Sequence, residues 1–242
     1  MGSLNKEVIV LGDVHCDFPA LNCFVNRKRP AVVLQCGDFG YWPRLVEAKC
    51  GRHAAKPCVP RVGDTKLYFC DGNHEDHDAL DALVDRQVYP NVFHMPRGST
   101  MTLDDGRVVL FMGGAYSIDR SWRDEVLCKD LPRKARREAV VQCGWFPQEV
   151  LTWTTWDGMP RLPRVDVVVS HTCPNEFFMK SDDRSRMTDI SREVLSEVLR
   201  VYHPPLWYFG HWHEYKTGYD KGCRWTALNM MRESMAFARL PH

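Results

Sequence analysis

The chain has 242 residues, and 32 basic against 31 acidic side chains give it a formal net charge of +1. A hydrophobic share of 44% and a charged share of 26% are typical of a globular protein. The near-zero charge excludes a chain-wide attraction to nucleic acid or to anionic membranes, while a local basic patch stays compatible with it. The length favours a single domain over residues 1–242.

Cysteine usage and hydropathy bear on the compartment. None of the ten cysteines forms a C-x-x-C pair, and Cys36 and Cys70 lie inside apolar runs where a reduced thiol serves as a small core residue. The sequence shows neither a signal-peptide apolar core nor an apolar stretch of membrane-spanning length. These features predict a cytoplasmic protein with no membrane partner, and they leave the oligomeric state open.

Apolar runs and their spacing predict the elements in chain order. Buried strands are predicted at residues 8–11, 31–36, 66–70, 91–95, 107–112, 166–170 and 206–209. Helices are predicted from Phe18, with Asp17 as the cap, at 79–84 and at 191–201. A turn is expected at 104–106, and residues 224–228 and 237–240 are expected to close the sheet. The early alternation of strand and helix predicts parallel pairing, and the later spacing predicts antiparallel additions, so the fold class is α/β with an α+β character.

Residues 118–164 interrupt this regularity. They contain Trp122, Trp145, Trp153 and Trp156 and a basic stretch at 133–137. A long insertion before a buried strand is a place where a cap over an active site could form. The alternative is a helical surface layer whose tryptophans fill the core and whose charges face water.

Seven side chains with metal-ligating oxygen or nitrogen atoms follow the predicted strands. They are Asp13, His15, Asp38, Asn73, His171, His211 and His213. Seven ligands are too many for one ion that keeps a position open for substrate, and they suit two ions that share a carboxylate. Asp38 is the natural bridge because its carboxylate has two oxygens. Oxygen and imidazole donors suit manganese, iron or zinc, and manganese is expected to be the most active in vitro.

Spacing within two of the motifs adds a geometric expectation. Asp13 and His15 are two residues apart, as are His211 and His213. In an extended segment, residues i and i+2 point to the same side. Each pair is therefore predicted to reach toward one ion.

The order G-D-V-H, G-D, G-N-H-E, S-H-T and G-H-W-H resembles that of the calcineurin-like metallophosphoesterase superfamily, and the likeness covers residues 8–228. It implies a two-sheet β-sandwich flanked by helices. By this resemblance the first metal would be held by Asp13, His15, Asp38 and His213, and the second by Asp38, Asn73, His171 and His211. His74 would donate a proton to the leaving group or stabilise the transferring phosphoryl group.

Departures from the pattern bear on the subfamily. Protein Ser/Thr phosphatases usually have Gly where this chain has Cys16, and a different run where it has residues 39–44. The final histidine pairing at residues 210–213 is closer to microbial phosphodiesterases and small phosphatases. Residues 91–118 also look similar to lariat-debranching and phage-encoded members.

These observations predict a dinuclear-metal phosphoesterase that hydrolyses a phosphodiester or a small phosphomonoester. Two ions would lower the pKa of a bridging water and present hydroxide to phosphorus. Glu75 or Asp71 could orient His74. The cations at Arg44, Arg120 and Arg123 could contact the substrate phosphate.

Other functions stay open. A nuclease or nucleotide phosphodiesterase, acting on RNA, DNA or cyclic nucleotides, would use the basic stretch at 133–137 and nearby tryptophans as a stacking surface. A protein Ser/Thr phosphatase and an inactive protein-binding scaffold are less favoured, the latter because every ligand position is occupied. The expected partner is thus a phosphorylated small molecule or a nucleotide, with nucleic acid as the second possibility.

Overall fold

The computed structural model of the protein describes residues 5–43, 58–117, 145–180 and 189–241. The strands in these residues are β1 Asn5–Leu11, β2 Pro30–Gln35, β3 Lys66–Phe69, β4 Gln87–Tyr89, β5 Val92–His94, β6 Thr100–Thr102, β7 Val108–Met112, β8 Val167–Ser170, β9 Leu206–Phe209, β10 Lys216–Asp220, β11 Cys223–Ala227 and β12 Phe237–Arg239. The helices are α1 Phe18–Lys28, α2 His77–Asp81, α3 Trp153–Gly158 and α4 Ile190–Tyr202, with a 3-10 turn at Pro147–Glu149.

The described strands form two six-stranded sheets that follow one plan. The first has the order β12-β1-β2-β3-β5-β4, and the second the order β10-β11-β9-β8-β7-β6. In each sheet the four inner strands are parallel and the two edge strands are antiparallel. The predicted α/β class, with antiparallel additions to parallel strands, is confirmed.

Alternating side chains along the strands build three layers of core. Val10 of β1 packs between the two sheets, in one cluster with Phe111 and Val169 of the opposite sheet. Its neighbour Ile9 faces the other way and packs with Leu21 of α1. Because successive strand residues point to opposite faces, each sheet buries both of its faces, and the protein is a sandwich with helices outside.

Capping hydrogen bonds begin two of the helices, and residues in left-handed conformations end them. The Asp17 carboxylate accepts a hydrogen bond from the Ala20 N–H at 3.2 Å, as predicted for the start of α1. Helix α4 begins after Asp189, whose carboxylate accepts from the Ser191 N–H at 2.9 Å. Arg29 and His203 end the two helices in left-handed conformations, at φ 49° and 44°.

Several sequence expectations differ from the structure. The helix predicted at 79–84 is the earlier and shorter α2, and Val84 is exposed beyond its end. Edge strands β4, β6 and β10 were not predicted. Residues 224–228 and 237–240 do not close one sheet together: β11 lies inside the second sheet, and β12 is an edge of the first.

The described part of the 118–164 insertion contains the 3-10 turn and α3. Trp156 is buried against the core of the second sheet, whereas Trp153 is exposed. Trp156 therefore fits the core-filling alternative. Trp122 and the basic stretch at 133–137 lie outside the described residues, and the cap stays a prediction.

Two further findings concern the described residues only. Their seven cysteines are free, and four of these thiols are buried. None of their helices combines the length and apolar character that crossing a membrane requires.

Candidate metal centre

The seven predicted ligands meet at one end of the sandwich. Asp13 and His15 follow β1, Asp38 follows β2, Asn73 follows β3, His171 follows β8, and His211 and His213 follow β9. Strands β1 to β3 are parallel to one another in the first sheet, and β8 and β9 are parallel in the second. Within each sheet the carboxyl ends of these strands therefore lie along one edge, where ligands of such folds usually bind. The side chains of both sheets converge there into two groups.

The first cluster consists of Asp13, His15 and His213. The Asp13 Oδ2 atom lies 3.0 Å from His213 Nε2 and 3.7 Å from His15 Nε2. The two Nε2 atoms are 3.1 Å apart. The His213 side chain is 44% exposed and that of His15 is 25% exposed, so this cluster is open to solvent.

The second cluster consists of Asn73, His171 and His211. Asn73 Oδ1 accepts hydrogen bonds from His171 Nε2 at 2.9 Å and from His211 Nδ1 at 3.1 Å. The His171 Nδ1 atom donates to the Cys36 carbonyl at 2.8 Å, which leaves Nε2 as the atom that faces the cluster. Asn73 and His171 are buried, so the second cluster lies deeper than the first.

Asp38 stands between the clusters. Its Oδ2 atom is 3.5 Å from His15 Nε2, and its Oδ1 atom is 3.3 Å from His171 Nε2. One carboxylate oxygen thus faces each cluster, which is the arrangement that a bridging ligand requires. Asp13 is also central: it groups with His15 and His213, and equally with Asp38 and His171, at distances that could hold an ion.

The backbone at these positions is strained, which corrects one expectation. The φ angles of His15, Asp38, His211 and His213 are 47°, 50°, 67° and 48°, in the left-handed region that non-glycine residues rarely adopt. The two histidine motifs are therefore turns and not extended segments. As a result His211 faces Asn73 while His213 faces Asp13, so this pair does not converge on one point.

Glycines make room for the carboxylates. A Cβ atom on Gly210 would lie 1.9 Å from Asp13 Oδ1, and a Cβ on Gly72 would lie 2.0 Å from Asp38 Oδ1. Both distances are far below van der Waals contact. The glycines of these two motifs are therefore required by close approach of the buried carboxylates.

Charge in the site is balanced by protons on histidine. Burial lowers the pKa of His15, but its hydrogen bond with Asp13 and the charge of Asp38 outweigh this and raise the pKa to about 9. For His171 burial is likewise outweighed, chiefly by the charge of Asp38, and its pKa rises to about 9. Burial raises the pKa values of Asp13 and Asp38, yet the surrounding histidines hold both below the usual range.

His211 behaves differently from these two histidines. Burial, together with the positive charge of His171, lowers the pKa of His211 to about 3. Its imidazole is therefore neutral at pH 7, which is the form that binds a metal.

This donor set fits two divalent ions. Protons on His15 and His171 compensate the charge of the two buried carboxylates, and ions that displaced those protons would supply positive charge in their place. The donors are carboxylate and amide oxygens and imidazole nitrogens, which suit first-row transition metals. The two clusters, with Asp38 between them, could hold one ion each.

His74 lies beside the first cluster. Its ring centroid is 5.3 Å from that of His15, its N–H donates to Asp38 Oδ1 at 2.8 Å, and its carbonyl accepts from Trp42 Nε1 at 3.0 Å. The side chain is half-buried. Its backbone is therefore fixed to Asp38 while its ring borders the solvent-open side of the site.

The carboxylates of Glu75 and Asp71, which the sequence suggested could orient His74, each bind other partners. The Glu75 carboxylate accepts hydrogen bonds from the Phe39, Gly40 and Tyr41 N–H groups at 2.7, 3.0 and 2.6 Å. Burial, followed by the charge of Asp38, raises the pKa of Glu75 to about 8. Glu75 thus anchors the loop that follows Asp38.

The Asp71 carboxylate pairs with Arg97. It accepts from Arg97 Nη2 at 2.7 Å and from Arg97 Nε at 3.0 Å. Burial raises the pKa of Asp71, but the charge of Arg97 more than offsets this and holds it well below its usual range. Ser117 accepts a hydrogen bond from Asn73 and donates one to Glu149. Neither Ser117 nor Glu149 was identified from the sequence.

Comparison with known families decides the assignment. The family model described as calcineurin-like phosphoesterase matches residues 6–215. The chain belongs to the calcineurin-like phosphoesterase family. The resemblance noted in the sequence is thereby confirmed, and the family implies a phosphoester substrate.

One solved structure supports the same fold at low sequence identity. One crystal structure aligns with 97% of this chain and 94% of its own, at 14% identity and a TM-score of 0.52. Others are titled "GAP50 the anchor in the inner membrane complex of Plasmodium" (15% identity, 91% and 70% coverage, TM-score 0.45) and phosphopantetheinyl hydrolase PptH from Mycobacterium tuberculosis (12% identity, 97% and 95% coverage, TM-score 0.44). A comparison with curated protein sequences gave no match.

The structure does not test the predicted phosphate contacts. Arg44, Arg120 and Arg123 lie outside the described residues. Their role in substrate binding stays a prediction from sequence.

Proposed function

We propose that this calcineurin-like phosphoesterase is a hydrolase that uses two divalent metal ions to cleave a phosphodiester or a small phosphomonoester. The observation that carries the proposal is Asp38, whose two carboxylate oxygens face His15 and His171 at 3.5 and 3.3 Å. Asp13, His15, Asp38 and His213 would hold the first ion, and Asp38, Asn73, His171 and His211 the second. Bound ions would supply activation of water and neutralisation of phosphate charge.

The residues of the chain would divide the remaining work. The solvent-open first cluster, with His213 and His15 partly exposed, favours approach of the substrate from that side. His74 borders the same side, and its imidazolium could donate a proton to the oxygen of the leaving group. In the second cluster Asn73 and His171 are buried and His211 is half-buried, so this cluster would be held in fixed positions and further from bulk water.

Neutral Asn73 would temper the charge of the site. If all ligands were carboxylates, the site would repel an anionic phosphate. An amide oxygen among four imidazoles leaves Asp13 and Asp38 as the only acidic residues among the seven proposed ligands. Two dications would therefore give the loaded site a net positive charge that attracts the substrate.

The test is turnover by chelator-treated protein to which manganese, iron or zinc is added back. Substrates would be bis-p-nitrophenyl phosphate, p-nitrophenyl phosphate, cyclic nucleotides and short RNA, so that diester, monoester and nucleic-acid activities are compared in one screen. We expect metal-dependent hydrolysis of at least one nitrophenyl ester. The proposal fails if no metal restores turnover on any substrate.

A matched pair of variants guards against contaminating phosphatases. His171→Asn should abolish the metal-dependent activity because it removes a proposed ligand of the second ion. His203→Asn is the control: His203 is exposed, ends α4 at φ 44°, and occupies a conformation that Asn tolerates well. Activity that survives in His171→Asn would contradict the assignment.

A further inference from the structure

A buried carboxylate outside the proposed ligand set lies close to the second cluster. Glu149, in the 3-10 turn Pro147–Glu149, is fully buried. One of its oxygens, Oε2, accepts a short hydrogen bond from Ser117 Oγ, and the other, Oε1, accepts from the Phe146 N–H at 3.2 Å. Ser117 Oγ in turn accepts from Asn73 Nδ2 at 3.0 Å. A continuous chain of hydrogen bonds therefore joins Glu149 to Asn73.

The order of donors and acceptors gives this chain a direction. A serine hydroxyl has a single proton, and Ser117 donates it to Glu149 Oε2. Ser117 Oγ is then an acceptor for Asn73, and only the Nδ2 end of the amide can face it. The Oδ1 end must face the opposite way, where it meets His171 Nε2 and His211 Nδ1 at 2.9 and 3.1 Å.

The turn that carries Glu149 is itself anchored to the loop after β3. The Arg97 guanidinium donates to the carbonyls of Gln148 and Val150 at 2.5 and 2.8 Å. The same group is paired with Asp71, two residues before Asn73, at 2.7 Å. Arg97 thus holds the turn and the Asn73 loop together, and this fixes the position of Glu149 relative to Asn73.

We propose that Glu149, acting through Ser117, is a positioning residue that orients the amide of Asn73 so that its oxygen faces the second metal position. The inference rests on the proposed function, because the orientation matters there as metal ligation. A reversed amide would present an NH₂ group, which cannot ligate an ion. The hydrogen-bond chain therefore increases the metal affinity of the second cluster without any contact between Glu149 and the ion.

Two variants interrupt the chain at different points. Glu149→Gln replaces the carboxylate by an amide with a single oxygen, which could not accept from both Ser117 and the Phe146 N–H in the present geometry. Ser117→Ala removes the acceptor that faces Asn73. Ser99→Ala is the matched control, because the Ser99 hydroxyl is also buried but has no hydrogen-bond partner among the described residues.

Metal affinity is the first readout. Titration of chelator-treated protein with Mn²⁺, followed by electron paramagnetic resonance and calorimetry, resolves two binding steps. We expect Glu149→Gln and Ser117→Ala to weaken one step by about 10- to 100-fold, the usual effect of removing an outer hydrogen-bond partner of a ligand. The other step, and both steps in Ser99→Ala, should keep wild-type affinity. Unchanged affinities in both chain variants would overturn the inference.

The second readout does not need a metal. In the metal-free protein the side-chain amide protons of Asn73 should give NMR signals protected from solvent exchange, and Ser117→Ala should remove that protection. If the wild type binds two ions but hydrolyses no phosphoester, the proposed function fails while both readouts still decide the role of Glu149. Wild-type protection in Ser117→Ala would contradict the chain even if activity fell.

Discussion

Replacement of Asp38 by Asn separates the two metal positions. Asp38 Oδ1 accepts the His74 N–H at 2.8 Å, so the oxygen of the new amide should occupy that position. Its NH₂ group would then point to the side of His15, where Oδ2 lies in the wild type. We therefore expect Asp38→Asn to lose the first ion before the second, and not to lose both alike.

The size of this asymmetry follows from the bond to His74. An amide turned the other way would remove the acceptor of the part-buried His74 N–H, which costs about 1–3 kcal/mol. At about 1.4 kcal/mol for each factor of ten, this favours the expected orientation by about 5- to 150-fold. Both positions also lose the attraction of one negative charge, but only the first position loses the oxygen ligand that Asp38 would provide.

A metal titration of double variants tests this reasoning. If Asp38→Asn has already emptied the first position, adding His15→Ala should leave the number of bound ions unchanged. Adding His171→Ala should remove the ion that remains. Two retained ions with full activity would refute the bridging role of Asp38, and equal loss of both would refute the orientation argument.

Three further predictions follow. His74→Asn should keep both metals but lower kcat by about 10²–10⁴-fold, and the loss should shrink for esters with good leaving groups; equal loss on nitrophenyl and alkyl esters would exclude proton donation. Burial lowers the pKa of His77 from 6.5 to about 4. Between these pH values His77 is protonated in the unfolded chain and neutral in the folded protein, so the free energy of unfolding falls as the pH falls. Urea denaturation should show that the wild type loses about 3 kcal/mol more stability than His77→Gln between pH 6.5 and 4. Parallel curves of stability against pH for the two proteins would contradict this. Gly210→Ala, whose Cβ would lie 1.9 Å from Asp13 Oδ1, should lose metal at the first cluster and destabilise the fold by about 1–3 kcal/mol in a thermal melt. Gly158→Ala is the control, because its Cβ would meet no other part of the described chain within 4 Å, and it should change neither metal content nor stability.

The sequence was sufficient to predict the inner strands and the places where candidate ligands follow them. Runs such as Val167–Ser170 are buried on both faces, so they read as continuous apolar segments. Strand β10, Lys216–Asp220, lies at an edge, and its residues are half-buried or exposed. It has no apolar run, and only its pairing with β11 makes it a strand. Edge strands of this kind depend on a partner elsewhere in the chain.

The backbone of the ligand turns could not be predicted for a related reason. The left-handed conformations of His15 and Asp38 are unfavourable locally. They are held by bonds between distant segments: the Asp38 carbonyl accepts from the Val14 and His15 N–H groups at 3.0 and 2.7 Å. The spacing of Asp13 and His15 predicts an extended segment, because no local signal in the sequence reports such bonds.

The acidic residues around the site are of two kinds: metal ligands, which the sequence predicts, and residues that support the loops, which it does not. A metal ligand can be recognised because it follows a strand and belongs to a short motif. Glu75 and Glu149 support their loops through backbone N–H groups and a hydroxyl, and most of these partners lie more than thirty residues away along the chain. Adjacency suggested that Glu75 serves His74, yet its carboxylate anchors the loop after Asp38 instead. Changing Glu149 should therefore act on the second cluster through Asn73, whereas changing Glu75 should act on both clusters through Asp38, which lies between them.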